Sequence, residues 1–381
     1  MAGTKKTAGP GGMRSGREES QSRALARERR RIDLLDARIV ELLGRRAGCA
    51  REIGRIKRLS SGEVYVPARE KAVLDHVRAL NKGEMDDAAL MAIFREIMSA
   101  SLALERRPKV AFFGPEATFT HQAARKRFGA SVEYLPSETI EDVFDAVLRE
   151  QADYGVVPIE NSTEGAVTYT LDEFADKPVK ICAEVYLEVS HCLMSAGPRS
   201  RIRVVYSHPQ VFGQCRRWLQ REMPGCDLVP VTSTARAAEM AAREKRGASA
   251  IASRLAAEIH SLRLLATDIQ DLSGNMTRFL VLGRRFGRPT GDDKTSILFS
   301  VRHEAGALYR ALGALKDNGL NMTKIESRPN KRKAWEYFFF VDFLGHAGEP
   351  RVSRALAKLR KHCAMLTVLG SYPKAPEHIE A

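Results

Sequence analysis

The sequence lacks most of the marks of a membrane, secreted or metal-dependent protein. None of its apolar runs approaches the roughly 20 uninterrupted residues of a membrane-spanning helix. The basic N-terminus is followed by no apolar segment and carries Glu18, Glu19 and Glu28. That argues against a secretory or organelle-targeting peptide and makes the cytoplasm the expected location, with no membrane partner. The six cysteines, Cys49, Cys182, Cys192, Cys215, Cys226 and Cys363, form no C-x-x-C. They read as buried thiols in a reducing compartment, neither a disulfide framework nor a zinc site. The nine histidines show no ligand spacing, so no metal is expected. No Walker loop and no G-x-G-x-x-G after a strand is present, and no G-x-S-x-G, so neither nucleotide binding nor a serine-hydrolase elbow is supported.

What is present is length and positive charge. The 381 residues allow two or three domains, each with its own core. A net charge of +14 suits either nucleic-acid binding or attraction of small polyanionic substrates. Residues 1–31 hold nine Lys/Arg against three Glu. Residues 1–22, rich in Gly, Ser and Thr, are expected to be a disordered basic tail.

From residue 23 to 59 there is no proline, and Ile32, Leu35, Ile39, Leu42, Cys49, Ile53 and Ile56 recur in steps that fit one long helix. The series skips one position, where Arg46 stands. An arginine on an apolar seam is costly unless an anion meets it. Lys57 follows eleven residues later, within ~20° of the same face and ~16 Å along the axis. Arg29 lies about a quarter-turn away, placed to reach another helix or a second subunit. Gly44, Gly48 and Gly54 suggest close packing by another element. Pro67 opens a second helix to Leu80, and a third runs from about 86 to 105, with Ser101 and Glu105 on one face. Three such unequal helices cannot enclose a core alone, so a helical dimer is expected.

In Arg29, Arg46, Lys57, Arg69-Glu70, Ser101 and Glu105, residues 23–106 resemble the all-α chorismate mutase domain. The resemblance implies that Arg29 enters the partner's site and Arg46 grips a carboxylate of chorismate. Lys57 and Glu105 would be catalytic, Lys57 donating to the ether oxygen, while Glu70 accepts from the substrate hydroxyl. A pericyclic rearrangement needs a dianion held compactly with donors aimed at the developing charge. Two positions depart from the pattern. Val66 stands where some members have Asp, and Glu105 where some have Gln, and a carboxylate donates a hydrogen bond only when protonated.

Beyond residue 107 short apolar strands alternate with helices: strands over 109–113, 132–135, 154–158, 203–207, 228–231 and 248–253, helices over 121–128, 140–150, 211–221 and 235–243. This rhythm predicts an α/β region of two lobes with a crevice between them. Polar, Gly/Pro-marked turns follow several strands at 114–118, 158–162, 207–210 and 272–275, where binding loops belong. The last runs into Met276-Thr277-Arg278-Phe279, where a hydroxyl and a guanidinium stand at a strand start. In order, Gly114-Pro115 with Thr118-Phe119-Thr120, Pro158-Ile159-Glu160-Asn161-Ser162 with Gly165, Tyr206-Ser207-His208-Pro209-Gln210, Gln214-Cys215 and Thr277-Arg278-Phe279 resemble the prephenate dehydratase domain, here over 108–286.

That family has a two-lobed, periplasmic-binding-protein-like α/β fold. The resemblance implies that prephenate loses its ring hydroxyl as water and its ring carboxylate as CO2, with no cofactor because aromatisation drives the step. Thr277 would be the catalytic hydroxyl. Thr118, Glu160, Asn161, Ser162, Ser207, Gln214, Arg278 and Phe279 would bind prephenate, with Arg278 holding a carboxylate or orienting its loop. Ala117 replaces a frequent glycine and would be strained if the turn needs positive φ.

Residues 287–294 read as a short polar linker. Strands over 296–301, 322–327, 336–343 and 365–369 and helices over 308–318 and 352–362 give a β-α-β-β-α-β order, the α+β ferredoxin-like motif, over 294–373. Gly306-Ala307-Leu308, Asn321 and Glu326-Ser327-Arg328-Pro329 resemble the phenylalanine-binding stretches of the regulatory ACT domain.

The whole is therefore expected to be a multidomain, bifunctional enzyme with small-molecule partners chorismate, prephenate and phenylalanine. No nucleic-acid partner is expected, and the assembly is a homodimer or homotetramer. Two other readings stay open: a transcription regulator with an ACT sensor, disfavoured because Arg46 and Lys57 share the apolar face, and a dehydratase with a degenerate mutase.

Overall fold

The computed structural model describes residues 12–59, 67–244, 247–330 and 336–375. The chain divides into two compact units, 1–62 and 63–381. The first is a single helix, α1 (Gly12–Leu59), 48 residues long, which spans about 70 Å at 1.5 Å per residue. It begins eleven residues before the expected start, so 12–22 are helical where a disordered tail was expected. Met13, Arg14, Glu18, Glu19 and Gln21 are good helix formers, and extending an existing helix avoids the cost of nucleation. Ile32, Leu35, Ile39 and Leu42 are each more than half exposed. A Cβ at Gly44 or Gly48 would meet nothing within 4 Å among the described residues. The other tail residues and Val66 lie outside the described residues.

The second unit opens with α2 (Pro67–Leu80) and α3 (Asp87–Glu105), packed on each other. Asp86 caps α3 by accepting from the Ala89 N–H. Next comes the middle domain, a first lobe built on a six-stranded sheet. Its elements are β1 (Lys109–Phe113), α4 (Phe119–Phe128), β2 (Glu133–Ser137), α5 (Ile140–Leu148), β3 (Tyr154–Asn161), the short β4 (Gly165–Ala166), α6 (Thr168–Asp176) and β5 (Lys180–Glu188).

The chain then crosses to a second lobe of β6 (Cys192–Ser195), β7 (Val204–Ser207), α7 (Pro209–Gln214), α8 (Arg216–Glu222), β8 (Asp227–Pro230), α9 (Thr234–Glu244), β9 (Ala248–Ala252), α10 (Arg254–Ile259) and β10 (Arg263–Ala266). It returns as β11 (Met276–Gly283), which lies antiparallel between β3 and β5 at the centre of the first sheet. The single helix expected over 211–221 is two. It breaks at Cys215, and the Asp271 carboxylate caps the new start by accepting from the N–H groups of Arg217 (2.9 Å) and Trp218 (3.2 Å).

The last domain has β12 (Asp293–Ser300), α11 (Ala307–Lys316), β13 (Met322–Pro329), β14 (Tyr337–Leu344), α12 (Pro350–Arg360) and β15 (Met365–Pro373), with sheet order β13-β14-β12-β15. One face of this sheet packs on its own helices through Ile297, Phe299, Val341 and Phe343. The other packs on lobe 1, where Leu298, Phe340, Leu369 and Tyr372 join Leu280, Leu282 and Ile181 in one core. Burial on both faces is why β14, Tyr337–Leu344, reads as a nearly continuous apolar run. The contact is close: a Cβ on Gly370 would lie 2.0 Å from the Ile181 carbonyl oxygen. The expected linker ends inside this seam, since Asp293 and Lys294 are buried.

Of the six cysteines, all free, Cys182, Cys192 and Cys215 are buried, while Cys49 is exposed, against the expectation of buried thiols. No helix among the described residues is long and apolar enough to cross a membrane.

Candidate active site

The crevice is built on strand parity. In the β3–β11 ladder Asn161 pairs with Thr277 and Glu160 with Arg278, and alternate residues face opposite sides of a sheet. The first pair serves the crevice. Asn161 donates from Nδ2 to Thr277 Oγ1 (2.8 Å) and Asn275 Oδ1 (2.6 Å), while its own carbonyl accepts from the Thr163 and Glu164 N–H groups. With a lone pair of Thr277 engaged, its remaining O–H is polarised to donate outwards.

Around this pair gather the expected loops. Thr118 caps α4, accepting from the His121 N–H. Before it, Ala117 takes φ 71°, the left-handed geometry that makes an alanine strained here. The turn is held by an Ala117 N–H to His121 Nδ1 bond (3.1 Å) and, from lobe 2, by Ser253 Oγ donating to the Ala117 carbonyl (2.9 Å). Accepting at Nδ1 requires a neutral imidazole. Burial, with Arg125 nearby, lowers the His121 pKa to about 4. The Ser162 hydroxyl accepts from the Met276 N–H (2.9 Å), tying the β3 loop to the start of β11.

From lobe 2, Gln214 holds His191 (2.8 Å) and, with Gln210, reaches Glu164 across the crevice. Burial lowers the His191 pKa, against the bond to Gln214. A cleft of about 370 Å3 opens here, lined by Thr163, Gln210, Gln214, Arg217, Asp271 and Asn275 among others. Arg217, which the motifs did not flag, brings a cation to it.

The second pair faces the other way. Arg278 is only 3% exposed and bonds Glu184 (2.8 Å), Glu160 (2.9 Å), Asp342 (2.6 Å) and the Tyr372 hydroxyl (3.0 Å). Lys294 joins Glu184 (3.0 Å), and Lys324 pairs with Glu160. Burial alone would raise the pKa values of Asp342 and Glu160, but Arg278 foremost holds both below the ordinary carboxylate range. Arg278 and Glu160, expected on substrate, thus sit in the seam with the last domain. Phe279 is core, packed with Phe112 and Phe128. Ser207 is buried and bonded to the Ile251 carbonyl (2.8 Å) beneath the crevice.

Three family models match successive stretches of the chain: Chorismate mutase type II over 28–106, Prephenate dehydratase over 110–286 and ACT domain over 295–361. A bifunctional chorismate mutase/prephenate dehydratase of Aquifex aeolicus is 48% identical across 91% of this chain and 97% of its own length. The chain belongs to the bifunctional chorismate mutase/prephenate dehydratase family. Among solved structures, the prephenate dehydratase of Arthrobacter aurescens, in complex with L-Phe, is similar with TM-score 0.65 and 33% identity, covering 70% of this chain and 90% of that one. A chain described as GqqA, a novel type of quorum quenching acylase, is similar with TM-score 0.65 and 32% identity, over 70% of this chain and 98% of its own.

In the mutase domain Arg29, Arg46 and Lys57 all lie on α1. Arg69 and Glu70 lie in the first turn of α2, and Ser101 and Glu105 in the last turns of α3. Ser101 donates to the Ile97 carbonyl (2.7 Å). Glu70 differs from expectation: it is buried, and its carboxylate pairs with Arg127 of α4 in the dehydratase domain (3.1 Å). α3 is docked on the same domain by Glu96 and Ser99, which accept from the Ala130 and Ser131 N–H groups. Gly129, φ 72°, allows that approach, since a Cβ there would lie 2.5 Å from Ser99 Cβ.

In the ACT domain Gly306 is left-handed (φ 74°) and opens α11 at Ala307 and Leu308. Asn321 precedes β13, whose Glu326, Ser327 and Pro329 accompany Arg328, ion-paired to Asp172 of α6 (3.3 Å).

Proposed function

We propose that the chain carries out two consecutive steps of phenylalanine biosynthesis, converting chorismate to prephenate and prephenate to phenylpyruvate, and that phenylalanine inhibits it through the ACT domain. The observation that carries this reading is the likeness to a bifunctional relative across 91% of this chain, and the Asn161–Thr277 pair in the crevice supports it.

In the dehydratase step the electrons of the departing ring carboxylate flow into the ring as the hydroxyl on the opposite carbon leaves. The protein's task is to protonate that hydroxyl and hold the dianion. Thr277, with its oxygen bonded by Asn161, supplies the donor. The mutase step needs only positioning and electrostatics, for which Arg46 and Lys57 stand on α1. The exposed Ile32, Leu35, Ile39 and Leu42 favour pairing of α1 with a second copy, so the proposed assembly is a homodimer or homotetramer. The two-sheet middle domain is read as periplasmic-binding-protein-like, and the last domain, by its strand order, as ferredoxin-like. Gly306, Ala307, Leu308, Asn321, Glu326, Ser327, Arg328 and Pro329 are proposed to take phenylalanine. A cytoplasmic setting is part of the proposal and rests on the free thiols.

One assay tests it. Supplied with chorismate and then with prephenate, the enzyme should form phenylpyruvate from both, and added phenylalanine should suppress it. Turnover of prephenate alone would leave a degenerate mutase. Turnover of neither, with steeply salt-dependent DNA binding, would favour a regulator.

A further inference from the structure

Prephenate carries two carboxylates, and the arginine its motif offers is not available to either. Arg278 is buried and already bonded to three carboxylates and a tyrosine. The crevice must find its cation elsewhere. Arg217 lies in the first turn of α8 and lines the 370 Å3 cleft together with Asn275, whose side chain shares the Asn161 amide with Thr277. The neighbouring carboxylate is otherwise engaged, since Asp271 accepts the backbone N–H groups of Arg217 and Trp218. Those bonds fix the base of the Arg217 stem, and among the described residues its guanidinium has no hydrogen bond or ion pair. Glu164 is likewise engaged, accepting from Gln210 and Gln214.

We infer that Arg217 binds the pyruvyl carboxylate of prephenate, an assignment that rests on the dehydratase reading above. The choice between the two carboxylates follows from the chemistry. The ring carboxylate leaves as neutral CO2, so a cation on it would stabilise the ground state more than the transition state and slow the reaction. The pyruvyl carboxylate keeps its charge throughout. A cation there binds substrate, transition state and product alike, and its loss raises KM while leaving kcat nearly unchanged.

Arg217→Gln is therefore expected to raise KM for prephenate about 10- to 100-fold, the range of a charge-assisted bond, with kcat within about threefold. Arg217→Lys should fall between. Phenylpyruvate, which keeps the pyruvyl carboxylate and has lost the ring one, should inhibit the Gln variant more weakly by the same factor. Conversion of chorismate, measured in the same preparation, should be unchanged. An unaltered KM, or a fallen kcat with KM intact, would overturn the assignment. So would a raised KM with undiminished phenylpyruvate inhibition, which would put Arg217 on the ring carboxylate. If the wild-type enzyme itself fails to turn over prephenate, the dehydratase reading falls first.

Discussion

Besides the docked α2 and α3, lobe 1 meets lobe 2 across the crevice and the ACT domain across the opposite face of its sheet. The crevice is spanned by rim hydrogen bonds, Ser253 to Ala117 and Gln214 to Glu164, and by the two chain crossings. The ACT seam is filled by Leu280, Leu298, Phe340, Leu369 and Tyr372 and closed by the buried Arg278 cluster. Close-packed, fully bonded seams resist small displacements, whereas a polar, solvent-lined cleft between two lobes is the usual site of hinge closure. Lobe 1 and the ACT domain are thus expected to behave as one body. A signal from phenylalanine would reach the chemistry as a change in how that body closes on lobe 2.

Breaking the stiff seam should give the largest effect. Arg278→Met leaves Glu184 with Lys294 and Glu160 with Lys324 but takes the ion-pair partner from the buried Asp342, and removing one partner of a buried cluster costs about 3–5 kcal/mol. Denaturant unfolding should show it, and a loss under 1 kcal/mol would mean the cluster is not what holds the seam. On the crevice side Thr277→Val should lower prephenate turnover about 10²- to 10³-fold, leave the melting temperature nearly unchanged and be partly restored in Thr277→Ser. Wild-type turnover in the Val variant would remove Thr277 from the mechanism.

Acid should separate the two regions in order. The folded pKa of His121, about 4, lies below the unfolded value near 6.5. Above that value neither state is protonated. As pH falls towards 4 the unfolded chain takes up the proton first, and about 3 kcal/mol of stability is lost. Asp342 and Glu160 are shifted down from ordinary carboxylate values. Their contribution is fully present above the unfolded carboxylate pKa and disappears only as pH falls through the lowered folded values. The crevice turn should therefore loosen between pH 6.5 and 4 and the seam only at lower pH. His121→Asn, which keeps an acceptor for the Ala117 N–H, should flatten the upper part of the stability curve. An unchanged slope would clear His121. The smallest effect belongs to Ala117→Gly. Relief of the positive φ, about 1 kcal/mol, is offset by loss of a buried methyl worth about 0.8 kcal/mol, so thermal unfolding should shift little. A gain above 1.5 kcal/mol would show that the strain is larger than the backbone angle implies.

The sequence carries the order of elements and loops because strand runs, Gly/Pro turns and helix starts such as Pro67 are local signals. It does not carry which way a strand faces. Thr277 and Arg278 are neighbours in one motif, and only the register with Asn161 and Glu160 sends one to the crevice and the other to the seam. The polar look of Lys294 suggested a linker, because its partner Glu184 is 110 residues away. The same distance problem hid the Glu70–Arg127 pair. The break at Cys215, which presents Arg217 to the cleft, depends on Asp271 from a remote loop. It leaves no mark in the helical pattern itself.

The division of labour along β11 is tested most directly by the steady-state kinetics of Arg278→Lys with prephenate, at a temperature where the variant is folded. The account predicts kcat/KM within about tenfold of wild type, together with a lowered melting temperature. Near-complete loss of turnover with an unchanged melting temperature would contradict it, because Arg278 would then be acting on the substrate and not on the seam.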